Sequence, residues 1–435
     1  MKLNYKKPGK IKDFLIILYF FLSIFTPNFC AIPTRLIIFF INIIVIISYF
    51  LFSKSKIQIN LSVISIITSF VPFFTYYSIL QIVRYFMNIY SIYADMYFLS
   101  LYSNFMTFAY SFVSFVAIYI LCSNIEIYKG NSYKYLFYAI LLQLVCVLMA
   151  FLIPSVKESF LEIIIKYSES EEISNAINLY GYFRCYGFSS NLFDAFGYIT
   201  SILITVVFAL GVSKRKTLYV LCAMIMLIIP LLNARTGIVL AISGFLVVLA
   251  YHFNLQSYFK YILMGGLAII FFYSIVNRIG GSLKEWIDNG INETLLFLTE
   301  GDTSSGLYGQ LFGEDLVFPT DIVLGAGASP EELFGYVGID VGYIQCIWRF
   351  GLIGMVLLFG GYINMYRIVY KKCFDKLDKC IVVSVLLIFF LYLIKLYSIS
   401  NTGGNVLIFG IPAIILSKYK HRNLQDKLKE NYESN

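Results

Sequence analysis

Charge is scarce in this chain. Asp, Glu, Lys and Arg make up 13% of its 435 residues, about half the share of an ordinary soluble domain. Hydrophobic residues make up 59%, more apolar surface than a soluble fold of this size could cover, so the solvent is lipid. Histidine is scarcer still. His252 and His421 are the only two, and both fall at chain segments assigned below to the inner face, which excludes a histidine catalyst on the outer one. The eight cysteines lie mostly within apolar runs or on the inner side, with Cys30 and Cys185 placed to face outward. They form no disulfide framework and no paired metal-ligand spacing, so no metal site is expected. A Gly-Lys-Ser/Thr phosphate loop is missing, which argues against nucleotide hydrolysis. Strict apolar/polar alternation over ten-residue runs is missing too, which excludes a transmembrane barrel.

What the chain does have is a succession of apolar runs separated by short polar breaks, each close to the roughly 20 residues a helix needs to cross a bilayer. Bilayer interiors offer no water to unpaired backbone groups, so these runs are helices. Twelve are expected, at 14–32, 36–53, 57–75, 104–122, 135–153, 194–212, 217–232, 236–253, 261–277, 341–361, 380–398 and 403–417. The fold class is therefore an all-α polytopic membrane protein, with residues 1–435 as one transmembrane domain. The first run follows "MKLNYKKPGKIK" and lacks a small-x-small cleavage site before "TPNFCAIPTR", so it reads as an uncleaved anchor. Segment 76–103 is aromatic but carries Arg84 and Asp95, and reads as an interfacial helix rather than a thirteenth span.

Orientation follows from counting, because loops on the cytoplasmic side collect Lys and Arg. With the N-terminus inside, the inner segments hold 23 of the 33 basic residues, and 18 of the 25 acidic residues fall outside. Both termini are then cytoplasmic, with a basic tail over 418–435. The net charge of +8 belongs beside anionic inner-leaflet lipid and calls for no nucleic acid.

Two outer segments are too long for mere connections, 154–191 and 278–340, the latter between the ninth and tenth helices. The first ends in "RCYGFSSNLFDAFG", which puts Arg184 just before a span. A short turn, "NARTG", puts Arg235 at the opening of another. The second long segment ends in "VLGAGASPEELFGYVGIDVGYIQCIWRFGLIGMVLLF", with Asp340 at the mouth of a span and Arg349 inside it. An arginine at such depth faces a partner or a cavity. Lys395, near the outer end of its helix, reads as a snorkelling residue.

An "RTG" turn opening a span, an Arg-x-x-Gly stretch before an earlier one, and a large outer loop closing on "D-x-G-Y…RFGLIG" resemble the Wzy-type O-antigen and capsular polysaccharide polymerases. The wider superfamily includes the O-antigen ligases. The resemblance implies an enzyme at the outer face of the cytoplasmic membrane that joins oligosaccharide repeat units carried on polyprenyl diphosphate. It also implies no added cofactor, membrane lipid as surroundings, and a chain-length regulator and a flippase of the same pathway as partners. In that family outward arginines are held to bind the diphosphates, and the match carries over to Arg184 and Arg235.

The chemistry is consistent with these residue types. A lipid diphosphate is already a leaving group, and a guanidinium fork pairs with its oxygens bidentately and stays charged. Negative charge grows on the departing diphosphate, so fixed arginines, Arg349 among them, stabilise the transition state more than the ground state. The acceptor hydroxyl needs a base. The ligases supply a histidine from the big outer loop, and this chain has none there, which leaves carboxylates: Asp340 first, then Glu331, Glu332 or Asp315. The competing classes are a ligase and a lipid-linked oligosaccharide flippase, but a transporter should show two matching halves and the 278–340 segment has no counterpart in the first half.

Overall fold

The structure is a computed structural model that describes residues 10–30, 32–52, 61–87, 94–127, 132–167, 184–252, 255–279, 281–300, 316–334, 341–397, 399 and 401–433. Among them there are helices and no strands. In chain order they are α1 Lys10–Phe25, α2 Thr34–Phe52, α3 Leu61–Thr68, α4 Val71–Met87, α5 Ala94–Ile127, α6 Tyr133–Leu152, α7 Pro154–Lys166, α8 Phe193–Ser213, α9 Thr217–Met226, α10 Ile228–Leu231, α11 Arg235–Tyr251, α12 Leu255–Ile279, α13 Gly281–Glu300, α14 Pro330–Phe334, α15 Gly342–Lys372, α16 Lys376–Lys395 and α17 Thr402–Glu433.

Seven helical stretches among the described residues are long and apolar enough to cross a bilayer: 34–51, 61–87, 96–123, 133–152, 193–213, 342–372 and 376–395. Shorter apolar helices cover 217–231 and 236–251. The chain is a polytopic membrane protein. Each of the twelve expected segments overlaps a helix, though several boundaries move. The first helix ends at Phe25, where Thr26 takes φ 40° ahead of Pro27. Segment 76–103 is not a separate interfacial helix. Its first part continues α4 and its last part begins α5, so Arg84 sits on the end of a span-length stretch.

Burial separates the centre of the bundle from its lipid face. In α8, 94% of the span is buried inside the protein, against 17% in α2. In α2, Phe40, Ile44, Ile47 and Leu51 stand exposed at helical spacing, an apolar stripe suited to lipid contact. Helix α8 is surrounded by α6, α9, α11, α16 and α17. Close approach of α8 and α11 depends on a glycine pair: a Cβ on Gly237 would lie 2.8 Å from the Gly197 Cα. Small residues at such crossings are a common way for helices to associate in lipid, where van der Waals packing must replace the hydrophobic drive.

Polar contacts gather at the two ends of the bundle. At one end Asp378, 3% exposed, accepts from the Tyr133 hydroxyl at 2.7 Å and pairs with Lys418 at 2.9 Å, tying the starts of α6 and α16 to the middle of α17. At the other end lie the segments that the sequence marked as candidate sites.

Candidate functional site

Residues 184–192 have no regular structure and are stitched to three neighbours. Asn233, wholly buried in the turn after α10, accepts from the Cys185 N–H at 2.9 Å and donates to the Cys185 carbonyl at 2.8 Å. Gln143 of α6 donates to the Tyr186 carbonyl at 2.6 Å. Asn191 donates to the Ile24 and Phe25 carbonyls at the end of α1. The segment that carries Arg184 and the turn that carries Arg235 are thus joined through Asn233, as their shared sidedness in the sequence implied.

Arg184 donates to the Tyr186 hydroxyl at 3.4 Å, and its guanidinium lies 4.8 Å from the Phe193 ring centroid. Phe193 is held at φ 51°, a left-handed conformation that costs a non-glycine residue about 1–2 kcal/mol and recurs where function sets the geometry. Burial pushes the Tyr186 phenol up to about 12, so it remains neutral and does not cancel the arginine's charge. Burial also pushes the Cys185 thiol up, which disfavours the thiolate.

Arg235 is the first residue of α11; its side chain lies outside the described part. The next residue, Thr236, donates to the Asp194 carboxylate at 2.6 Å, in the first turn of α8. Two helix N-termini therefore open at one place, each with its amide-rich positive end, flanked by Arg184 and by the backbone of Arg235.

A second cluster surrounds Arg349. Helix α15 is interrupted at Gly351, which takes φ 68° and ψ 177°. The backbone of 321–327 fills the break. Leu352 and Ile353 donate to the Ile322 and Val323 carbonyls at 2.9 and 3.3 Å, and the Trp348 carbonyl accepts from Ala326 and Gly327 at 2.7 and 3.0 Å. Arg84, 5% exposed, clamps the inserted segment by donating to the Leu324 carbonyl at 2.7 Å and to that of Gly325, while Gln81 donates to the Gly327 carbonyl at 2.7 Å. Irregular backbone at a membrane span is tolerated where protein satisfies it in this way.

Arg349 sits two residues before the break. Its Nη1 donates to Glu332 Oε1 at 3.2 Å, its guanidinium lies 5.1 Å from the Tyr397 ring centroid, and its Nε has no partner among the described residues. Tyr397 in turn donates to Asn104 at 3.2 Å. Glu332 is one half of a reciprocal cap, with its Oε2 accepting from the Ser329 N–H at 2.7 Å and its own N–H donating to Ser329 Oγ at 3.3 Å. Helix α15 runs on to Lys372 rather than ending near 361, and the stretch from 351 to 370 alone covers about 30 Å at 1.5 Å per residue, a full hydrocarbon thickness. Arg349 lies in the first turns of α15, inside the span-length stretch 342–372.

Asp340 and Asp315 lie outside the described residues, as does the side chain of Glu331. Lys395 is the half-buried last residue of α16. No described contact joins the Arg184 cluster to the Arg349 cluster. Sequence reasoning missed Asn233, Gln143, Tyr397 and the clamp by Arg84. The only signals were a guanidinium in the aromatic 76–103 segment and an asparagine in the "NARTG" turn. No protein-family model, no curated protein and no solved structure matches this chain.

Proposed function

We propose that this protein is a polysaccharide polymerase of the cytoplasmic membrane, with twelve spans, both termini inside and its catalytic face outside. It transfers a glycan from polyprenyl diphosphate to the acceptor end of another lipid-linked repeat unit. The observation that carries the reading is the convergence of two helix N-termini with Arg184 and the Arg235 turn around the Asp194–Thr236 contact, positive helix ends and guanidinium groups of the kind that bind a polyanion. The acceptor hydroxyl gives its proton to a carboxylate of the 278–340 segment while its oxygen attacks the anomeric carbon, the bond from that carbon to the diphosphate breaks, and the electron pair leaves on the polyprenyl diphosphate. Arg184, Arg235 and Arg349 bind that group and stabilise its growing charge. A flippase that delivers the units and a chain-length regulator are the partners such an enzyme requires.

The test uses purified protein in proteoliposomes with lipid-linked repeat units extracted from the cells that make it. Wild-type protein yields a ladder of longer glycans. Arg184→Lys and Arg235→Lys, which keep charge but lose the bidentate fork, each cut the yield at least tenfold at equal protein abundance. Transbilayer movement of the substrate without elongation would replace this reading with that of a flippase.

A further inference from the structure

The Arg349–Glu332 pair has the form of a contact made to be exchanged. It is a single-point pair through Nη1, not the bidentate fork that fixes a permanent arginine–carboxylate bridge. One partner is half-buried and the other open: the side chains of Arg349 and Glu332 are 14% and 37% exposed. The Arg349 Nε is buried and has no partner among the described residues, so the protein does not saturate the guanidinium. Glu332 reaches it from a loop whose position is set elsewhere, by Arg84 and Gln81 on α4 and by the break in α15. Loss of the ion pair therefore leaves the loop docked.

The geometry points to Glu332 as a substrate-gated base, an inference that rests on the polymerase reading. In the resting protein its Oε1 occupies the place on Arg349 that a diphosphate oxygen takes when the donor binds. The incoming diphosphate displaces the carboxylate, and Oε1, no longer held by the guanidinium, receives the proton of the acceptor hydroxyl. The acceptor oxygen then bonds to the anomeric carbon while the bond from that carbon to the diphosphate breaks, its electron pair departing with a leaving group already paired to Arg349. Base and donor site are thereby coupled: a proton acceptor becomes free only when there is a glycosyl donor to attack.

Glu332→Gln separates this from a structural role, because glutamine serves the reciprocal cap with Ser329 as well as glutamate does while removing charge and basicity. Pyrophosphate is the binding probe, read by Trp348 fluorescence in a Trp286→Phe background, where Trp348 is the one tryptophan left. Expected is a split: Glu332→Gln binds pyrophosphate at least tenfold more tightly and elongates lipid-linked repeat units at least a hundredfold more slowly, the range for loss of a general base. Arg349→Gln loses the fluorescence response, and Ser329→Ala, which removes only the hydroxyl of the cap, changes neither quantity by more than a fewfold. Unchanged or weaker pyrophosphate binding by Glu332→Gln overturns the exchange, and wild-type elongation by it overturns the base, as does loss of elongation in Asp340→Asn with Glu332→Gln active. Should wild-type protein fail to elongate any unit, the polymerase reading and the transfer step fall together, while the pyrophosphate comparison still decides the exchange.

Discussion

Asn233 has one acceptor oxygen and two donor hydrogens in its side chain, and all three are used: Oδ1 accepts from Cys185 N–H, and Nδ2 donates to the carbonyls of Cys185 and of Ile229, the latter at 2.7 Å. One buried side chain thus fastens the Arg184 segment to the turn that opens α11. Asn233→Ala leaves the Cys185 amide and carbonyl buried without partners, and each such group costs about 1–3 kcal/mol. The loss is local, since Gln143, Asn191 and Ser190 still hold the rest of the segment. The expected outcome is a variant that folds, melts several degrees lower in detergent, and exposes the Cys185 thiol, now 3% exposed, to alkylation in a protein with the other cysteines replaced. Continued protection of Cys185 would show that the asparagine does not hold this segment.

At the scale of elements, the helices were legible and their interruptions were not. Apolar runs of span length reported where helices would form, because lipid leaves the backbone no alternative. Where they would end was less visible, since α4 and α15 continue into polar or basic stretches that the hydropathy pattern does not mark as helical. The break at Gly351 had no sequence signal at all. "RFGLIG" carries two glycines, but glycine is common in transmembrane helices, and nothing local separates the one at φ 68° from Gly354, which stays helical. What decides the conformation is distant in sequence: the carbonyls of Ile322 and Val323, delivered by a loop that Arg84 clamps. A side chain at 351 could not take this backbone conformation, worth about 1–3 kcal/mol of strain, and its Cβ would meet the Val323 carbonyl. Gly351→Ala is therefore expected to run α15 straight and expel 321–327. A cysteine at Ala328, wholly buried in the native protein, serves as the reporter: it resists an impermeant maleimide with Gly351 present and reacts in the Gly351→Ala background. Equal protection in both would mean that the loop is held without the break.

For the whole molecule, order along the chain and contact across it agree. Helices alternate between two ends of the bundle, and the described contacts keep those ends distinct. At one, the Phe25, Arg184, Asn233 and Asp194 regions meet, and so do Arg84, Gly325, Glu332 and Arg349. At the other, Tyr133 and Lys418 meet at Asp378, Lys134 pairs with Asp13 at 3.6 Å, and Lys372 donates to Tyr419 at 3.3 Å. The candidate arginines were legible as sharing a face because their segments enter or leave apolar runs on the same side; which of them touch was not, because that depends on Asn233 and on a loop–helix insertion with no periodic pattern. Sidedness relative to the cell comes from charge. The end with Lys134, Lys372 and Lys418 belongs to the segments that hold 23 of the 33 basic residues, and in the proposed orientation it is the cytoplasmic end, as the positive-inside rule expects. Single cysteines at Glu158 and Thr320, both exposed at the arginine end, and at Arg215 and Lys376, both exposed at the basic end, test this in a background without the eight native cysteines. In intact cells, or spheroplasts where an outer membrane intervenes, the first two should react with an impermeant maleimide and the last two only after the membrane is opened. The reverse pattern would put the arginines in the cytoplasm, where sugar nucleotides rather than lipid diphosphates are the abundant donors, and the polymerase reading would lose its substrate.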